Sequence, residues 1–341
     1  MKINNDTFRK KRISWIDQVK GFGIILVIYG HNLPYIESYI YSFHMPLFFF
    51  IGGLFHPNQI NIGIIKKRAK QILIPYFLWS FLLFLFWFFI GRKYGDSSNL
   101  NLSVLKNFTG IFYAQGGHEY MNWGITMWFL PSIFFSFLFF GLIRKLKKKK
   151  HQVLCVLFLV SLGFLIPKVF KTHIIWSLDV SLVSLIFYSS SFFLKDFLLK
   201  KKIRYEPVLI FVLFIVHLVC SLTLVEKVDM FRSVYGNELL FLLNASVAIF
   251  FWLLLFKNIK KIRFLTFFGK NTIPILALHI RTLTVIKLFL LLFLGSKTFN
   301  FNEIEKLILV VIQLIILYPI IIFINKYLQI LNGKVKAKTR D

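Results

Sequence analysis

Long apolar runs recur along the whole chain, and short Lys- and Arg-rich stretches separate them. A helix needs about 20 apolar residues to cross the hydrocarbon core of a bilayer. On that criterion the candidate spans are residues 19–33, 39–55, 72–90, 127–143, 153–170, 174–194, 207–225, 238–256, 271–294 and 307–331. Hydrophobic residues make up 57% of the 341, above the ~45–50% of soluble domains. The pattern predicts an all-α polytopic membrane protein, a bundle of about ten transmembrane helices forming one domain over residues 1–341. Residues 1–18 and 332–341 are the polar ends. The first two spans are among the shortest, and they carry Lys20, His31 and His44.

The chain holds 42 Lys and Arg against 14 Asp and Glu, a formal charge of +28. Thirty of the 42 fall in alternate segments: 1–18, 56–71, 144–151, 195–206, 257–270 and the tail from residue 326. The other set, 92–125, 168–173, 226–237 and 295–306, holds nine. Excess Lys and Arg mark cytoplasmic loops, so both termini are expected in the cytoplasm. The charge then reflects topology and attraction to anionic membrane lipid, and no nucleic-acid partner is expected. Cys155 and Cys220 stand alone in apolar spans and suggest neither a disulfide framework nor a metal site. The N-terminus is polar up to Asp17 and lacks a small-residue cleavage signal, which reads as a retained anchor.

Ionisable groups inside a spanning helix cost about 2.5–3.5 kcal/mol at the centre on insertion scales, so they point to function. Lys20 and His31 are 11 residues apart, which puts them on one helix face about 16 Å apart. Asp17, three residues before Lys20, falls near that face. Taken singly, Lys20 can snorkel to the surface, and His31 in "YGHNLP" and His44 in "FHMP" can be border residues. With His279 and Arg281 in the ninth span, they imply a lined cavity. A cation at its mouth can hold phosphate, and a histidine can accept a proton at neutral pH. The spacing compares with the reach of a pantetheine arm. Residues 91–126 form the longest extramembrane piece. Its "YAQGGHEYMNWGITMWFLP" reads as interfacial anchors or as a sugar-facing lid, with Glu119 and Trp123 as candidate acceptor contacts. "RKLKKKKH" at 144–151 is a positive-inside stop.

The run "RISWIDQVKGFGIILVIYGH", "YSFHMPLFFFIGGLF", "KKRAKQILIPYFLW", "MWFLP" and "FGKNTIPILALH" resembles the acyltransferase-3 family of membrane O-acyltransferases. Within it the likeness is to small fucose acetylase-like and capsule O-acetyltransferase members acting on bacterial surface polysaccharides. It covers nearly all ten spans. The resemblance implies a bacterial cytoplasmic-membrane enzyme that takes an acyl group, usually acetyl from acetyl-CoA, and gives it to a sugar hydroxyl at the outer face. No metal is implied. The family's basic residue, ten residues and histidine correspond to Lys20 and His31, with Lys where Arg is more usual. Its second basic cluster corresponds to Arg68, beside Lys67 and Lys70, with Gln71 where a paired arginine would stand. His44 and His279 match later histidine-bearing motifs.

On this reading His31 is the general base or a transient acyl carrier, with His44 beside it. Lys20, Arg68, Lys67 and Asp17 serve the donor. Glu119, Trp123, His279 and Arg281 serve the acceptor, which is a surface polysaccharide or its lipid-linked precursor. The alternative is a polysaccharide exporter or other transporter, which predicts flux without an acyl product, although no inverted repeat is visible. A non-catalytic assembly subunit would leave the deep histidine unexplained.

Overall fold

The computed structural model describes residues 12–93, 100–114, 117–170, 174–200, 205–223, 226–295 and 299–334. Most of the expected N-terminal segment, the tail from residue 335, and Gln115 of the aromatic loop lie outside the described residues. The described chain is helical, and its only strand-like pairing is an isolated antiparallel bridge between Asp229 and Val234. In order, the helices are α1 (Ser14–Gly30), α2 (Glu37–Tyr41), α3 (His44–Leu54), α4 (Ile62–Phe86), α5 (Val104–Tyr113), α6 (Gly117–Met121), α7 (Phe129–Ile143) and α8 (Lys149–Phe170). Then follow α9 (Leu178–Phe193), α10 (Lys195–Lys200), α11 (Glu206–Thr223), α12 (Glu238–Asn258), α13 (Arg263–Gly269), α14 (Thr272–Leu294) and α15 (Glu303–Tyr327). A short 3-10 turn, Gln329–Asn332, closes the described chain.

Among the described residues, eight helical segments are long and apolar enough to cross a membrane: Ile62–Gly91, Ile125–Ile143, Lys149–Phe170, Ile175–Phe193, Glu206–Thr223, Glu238–Asn258, Thr272–Leu294 and Glu303–Tyr327. They correspond to eight of the ten expected spans, and the protein is an all-α polytopic membrane protein. The first two spans take a different form. α1 has 17 residues, about 25 Å of helix. The stretch 39–55 is broken at Ser42 and Phe43, and α3 has 11 residues, about 16 Å. Ser42 turns its hydroxyl back onto the Tyr39 carbonyl. Pro46 falls in the first turn of α3, where its missing N–H breaks no intrahelical bond. The second apolar run is therefore a half-length helix entered through a bend.

α1 lies in the middle of the bundle, against α3, α12, α13, α14 and α15. Its closest neighbour is α13, because each helix presents a glycine to the other's backbone. A methyl group on Gly21 would overlap the Leu265 carbonyl, and one on Gly269 would overlap the Asp17 carbonyl. Without a hydrophobic driving force between helices in lipid, small residues that permit such approach hold interfaces together. Gln18 reinforces the contact by accepting the Ile262 backbone N–H. Between α7 and α9 the same device takes a polar form. The Oγ atoms of Ser136 and Ser184 are 2.7 Å apart and those of Ser132 and Ser181 3.1 Å, all four side chains being buried. α8 and α11, by contrast, turn most of their surface outward.

Gly21→Val will destabilise the protein by at least the ~1–3 kcal/mol typical of an overpacked core. Heating the variant in detergent and following the monodisperse peak by size exclusion checks this; an unchanged melting midpoint would contradict the glycine contact.

Candidate active site

Three helix geometries converge on His31, the residue that ends α1. Its Nδ1 is 2.8 Å from the Val27 carbonyl oxygen, one turn back. His279, within α14, has Nδ1 2.9 Å from the Ile275 carbonyl, and His44, opening α3, has Nδ1 2.8 Å from the Ile40 carbonyl. A carbonyl oxygen can only accept, so in each ring Nδ1 carries the proton. In a neutral imidazole the lone pair then belongs to Nε2. The Nε2 of His279 stands 3.3 Å from Nδ1 of His31, with ring centroids 4.9 Å apart. The His31 N–H is thus shared between the Val27 carbonyl and His279, and its Nε2 is left as the basic atom. His279 is fully buried behind His31. Gln313 donates to the His279 backbone carbonyl at 2.8 Å and fixes α15 to α14 at this level.

His31 and His44 both line a cavity of about 370 Å³, together with Tyr41, His118, Thr126 and Trp128. The Tyr41 ring lies between the two histidines, 6.3 Å from His31 and 4.9 Å from His44 by centroid. Thr126 donates to the Leu276 carbonyl at 2.8 Å, tying the wall to α14. Residues 226–237, before α12, supply Lys227, Asp229, Met230, Phe231 and Arg232 to the cavity wall. Asp229 and Val234 exchange backbone hydrogen bonds of 2.7 and 3.0 Å, which makes a tight loop. Val228, Met230 and Tyr235 of this loop are buried, and Ser233 anchors it to Asp179 at 2.6 Å. Its Lys227 reaches Glu37 of α2 at 2.5 Å and stands 4.2 Å from the Tyr41 ring centroid. Asp229 and Arg232 line the same cavity and face one another at 3.7 Å. At the rim, burial and then the Arg232 guanidinium pull the His118 pKa below its ordinary value, leaving a neutral ring.

The other end of α1 carries cations. Asp17, almost fully buried, accepts from Arg12 at 2.6 and 3.2 Å and pairs with Lys20 at 3.2 Å. Arg68 of α4 lies within electrostatic range of Lys20. Its guanidinium carbon is 5.9 Å from the Phe137 ring, and its Nε is buried without a partner. Lys67, one residue earlier, points into the exposed surface. Between the cations and the histidines lies a narrow apolar gap of about 30 Å³, lined by Ile24, Phe48 and Ile273 among others. It shares Val27, Met45 and Leu276 with the outer cavity, so one wall runs from the level of Ile24 to His31.

The structure therefore brings His31, His44 and His279 together, and gathers Asp17, Lys20 and Arg68 at the opposite end of α1. It does not bring Glu119, Trp123 or Arg281 to the cavity. Glu119 is exposed and paired with Lys106 at 2.9 Å. Trp123 is fully buried, its indole N–H donating to the Asn107 carbonyl at 2.8 Å. Arg281 turns away to the Asn122 carbonyl at 2.5 Å. Their neighbours His118, Thr126 and Trp128 hold the positions on the wall. Glu37, Tyr41, Lys227, Asp229 and Arg232 escaped the sequence reading altogether. The available signal was "EKVDMFR", four charges in a short loop on the side otherwise poor in charge. Among the described residues, no group of three or more His, Cys, Asp or Glu side chains is placed to hold a metal ion.

A bundle of membrane-length helices around a histidine-lined cavity, with partly buried cations near the far end of α1, defines an integral membrane protein built for polar chemistry. Over residues 13–326 the sequence matches the acyltransferase-3 family, described as an acyltransferase domain, and the chain belongs to it. It is similar to nodulation protein NolL of Sinorhizobium fredii (strain NBRC 101917 / NGR234), 27% identical over 260 residues. That alignment covers 68% of this chain and 62% of NolL, so the chain spans less than two thirds of that relative. No solved structure matches.

Cutting the Lys227–Glu37 tether will loosen the wall loop at 226–237 and raise access to the cavity it lines. Ile125→Cys, in a background with Cys155 and Cys220 replaced by Ala, will react severalfold faster with a membrane-impermeant maleimide once Lys227→Met is added. Equal rates would show that the Glu37 contact does not hold the loop in place.

Proposed function

We propose that the protein transfers an acyl group, acetyl from acetyl-CoA, to a hydroxyl of a surface polysaccharide or its lipid-linked precursor. The observation that carries this reading is the state of His31. Its Nδ1–H is committed to Val27 and His279, so a basic Nε2 belongs to a ring on the cavity wall. In the reaction, the acceptor oxygen attacks the thioester carbonyl while His31 Nε2 takes its proton. The C–O bond forms, the C–S bond breaks, and the imidazolium returns the proton to the departing thiolate. His279 is a positioning residue, holding the ring and sharing the charge that develops on it. His44 offers a second Nε2 lone pair from the same wall and orients the hydroxyl.

The donor's phosphates are assigned to Lys20 and Arg68, on the expected cytoplasmic side, with Asp17 holding Lys20. The distance between these cations and His31, about 16 Å along the helix, suits an extended arm lying in the apolar gap. That gap has room for only one or two waters, and the flexible side chains of Met45, Phe48 and Leu276 must part to admit the arm. The same narrowness disfavours a polysaccharide exporter, which needs a continuous polar passage.

His31→Ala will lower ester formation by ~10²-fold or more, the usual scale of a positioned base. Proton NMR of base-labile acetyl on purified surface polysaccharide measures it, and equal ester at equal protein level would overturn the assignment. Lys20→Ala and Arg68→Ala will each raise KM for acetyl-CoA about tenfold, since a hydrogen bond to a charged group contributes ~1.5–3 kcal/mol. An unchanged KM would remove them from the donor site.

A further inference from the structure

Further cations gather at the Lys20 end of α1. Lys270 follows directly on Gly269, whose missing side chain lets α13 rest on the Asp17 carbonyl. α13 thus delivers Lys270 to the turn of α1 whose Asp17 side chain holds Arg12 at 2.6 Å. Lys334 is brought to the same place by three asparagines. Asn271, next to Lys270, accepts on Oδ1 from Asn325 Nδ2 at 2.9 Å and from Asn332 Nδ2 at 2.7 Å. Asn325 Oδ1 accepts in turn from Asn332 at 2.8 Å and from the Lys334 ammonium at 2.5 Å. Arg12 is within electrostatic range of both Lys20 and Lys334.

A stretch that only kept one side of the membrane positive would need lysines in number, not in place. Here the placement is fixed by buried structure. Asn271 and Asn332 are buried, and the turn Gln329–Asn332 is tied to α4, where the Trp79 indole N–H donates to the Leu331 carbonyl at 2.8 Å. Gly333 follows with φ of 66°, and a methyl group on it would overlap the Gln71 carbonyl, one turn from Arg68. Backbone angle and close approach both call for glycine. The result is four cations, Arg12, Lys20, Lys270 and Lys334, around one acid. Among the described residues, Asp17 is the one carboxylate that ion-pairs with any of them. Burial, then the charges of Arg12 and Lys270, pull the Lys334 pKa below its ordinary value, so the repulsion is unrelieved. Lys270 and Lys334 are exposed and the Arg12 side chain is 54% exposed, which leaves the surplus charge open to a ligand. Lys334 gives one of its three N–H groups to Asn325 and keeps two.

We propose that Arg12, Lys270 and Lys334 form a subsite for a phosphomonoester of the donor, the 3′-phosphate of coenzyme A. The inference rests on the acyltransferase reading and deepens it, from the phosphates nearest the arm to the far end of the nucleotide. Coenzyme A carries a diphosphate beside its arm and a separate phosphate on the ribose, which alone holds about −1.5 to −2 charge at neutral pH. Lys20 is already paired with Asp17, so Lys20 and Arg68 together cannot balance both groups. The remaining three cations lie on the solvent side of Lys20, where the ribose sits when the arm enters the apolar gap.

The test uses the full chain in phosphatidylcholine nanodiscs, with acetyl-CoA and acetyl-3′-dephospho-CoA as paired donors. In wild type the dephospho donor will have a KM about tenfold higher, the scale of a lost hydrogen bond to a charged group. Lys270→Gln combined with Lys334→Gln, both on exposed side chains, will bring the two KM values together. Wild-type values that already coincide, or a double variant that raises both alike, would overturn the subsite, while ester formation left the acyltransferase reading standing. Calorimetry with adenosine 3′,5′-bisphosphate and adenosine 5′-phosphate measures binding without transfer. The bisphosphate will bind more tightly to wild type, and the double variant will lose the difference. That pattern with no ester from either donor would defeat the acyltransferase reading and keep the subsite. Nanodiscs containing phosphatidylglycerol will give the same discrimination. Its loss there would make the cluster a lipid-headgroup site and overturn the proposal.

Discussion

The contact of α1 with α13 is the constraint from which the rest follows. Gly21 rests on the Leu265 backbone and Gly269 on that of Asp17, so α1 cannot slide or turn without a backbone clash. That helix bears Asp17 and Lys20 at one end and His31 at the other. Its seating fixes the separation of Asp17 and Lys20 from His31, and it fixes the face on which they stand. α13 leads directly into α14, which bears His279. The two halves of the histidine pair therefore arrive at one level through a single tight interface.

Titratable rings in an apolar bundle are expensive, and the structure meets that cost with backbone. Each of His31, His44 and His279 ties Nδ1 to the carbonyl four residues earlier. The bond satisfies one nitrogen, selects the tautomer and leaves the lone pair on the other. No carboxylate is needed to orient the rings, which avoids burying a further charge. The carboxylates that do approach, Glu37 and Asp229, stand at the cavity rim, each with a cation close by.

Much of this was legible in the sequence, for definable reasons. Long apolar runs report membrane helices because lipid leaves little choice of residue, and eight of them are helices of spanning length. The shared face of Lys20 and His31 follows from helical periodicity, and His44 and His279 follow from ionisable residues standing in apolar runs. The bend at Ser42 and Phe43 was not legible, because an apolar run of spanning length gives no sign that Ser42 turns its hydroxyl back onto the Tyr39 carbonyl and ends the first helix there. The wall loop at 226–237 was not legible either. Its Lys227 meets Glu37 across 190 residues, and no local pattern encodes that meeting. The loop before α7, singled out by its polar and aromatic composition, does line the cavity, but through other side chains than those composition suggested. Glu119 and Trp123 took outward and structural positions, while His118 and Thr126 took the wall.

The central claim is that donor and acceptor meet across the thickness of the bundle, with His31 between them. The most direct measurement places labelled acetyl-CoA on one side of a sealed proteoliposome membrane and de-esterified surface glycan on the other. The account predicts ester formation when the donor is on the Lys20 side and the acceptor opposite, and little when the two are exchanged. Transfer that requires both reactants on the same face would contradict it.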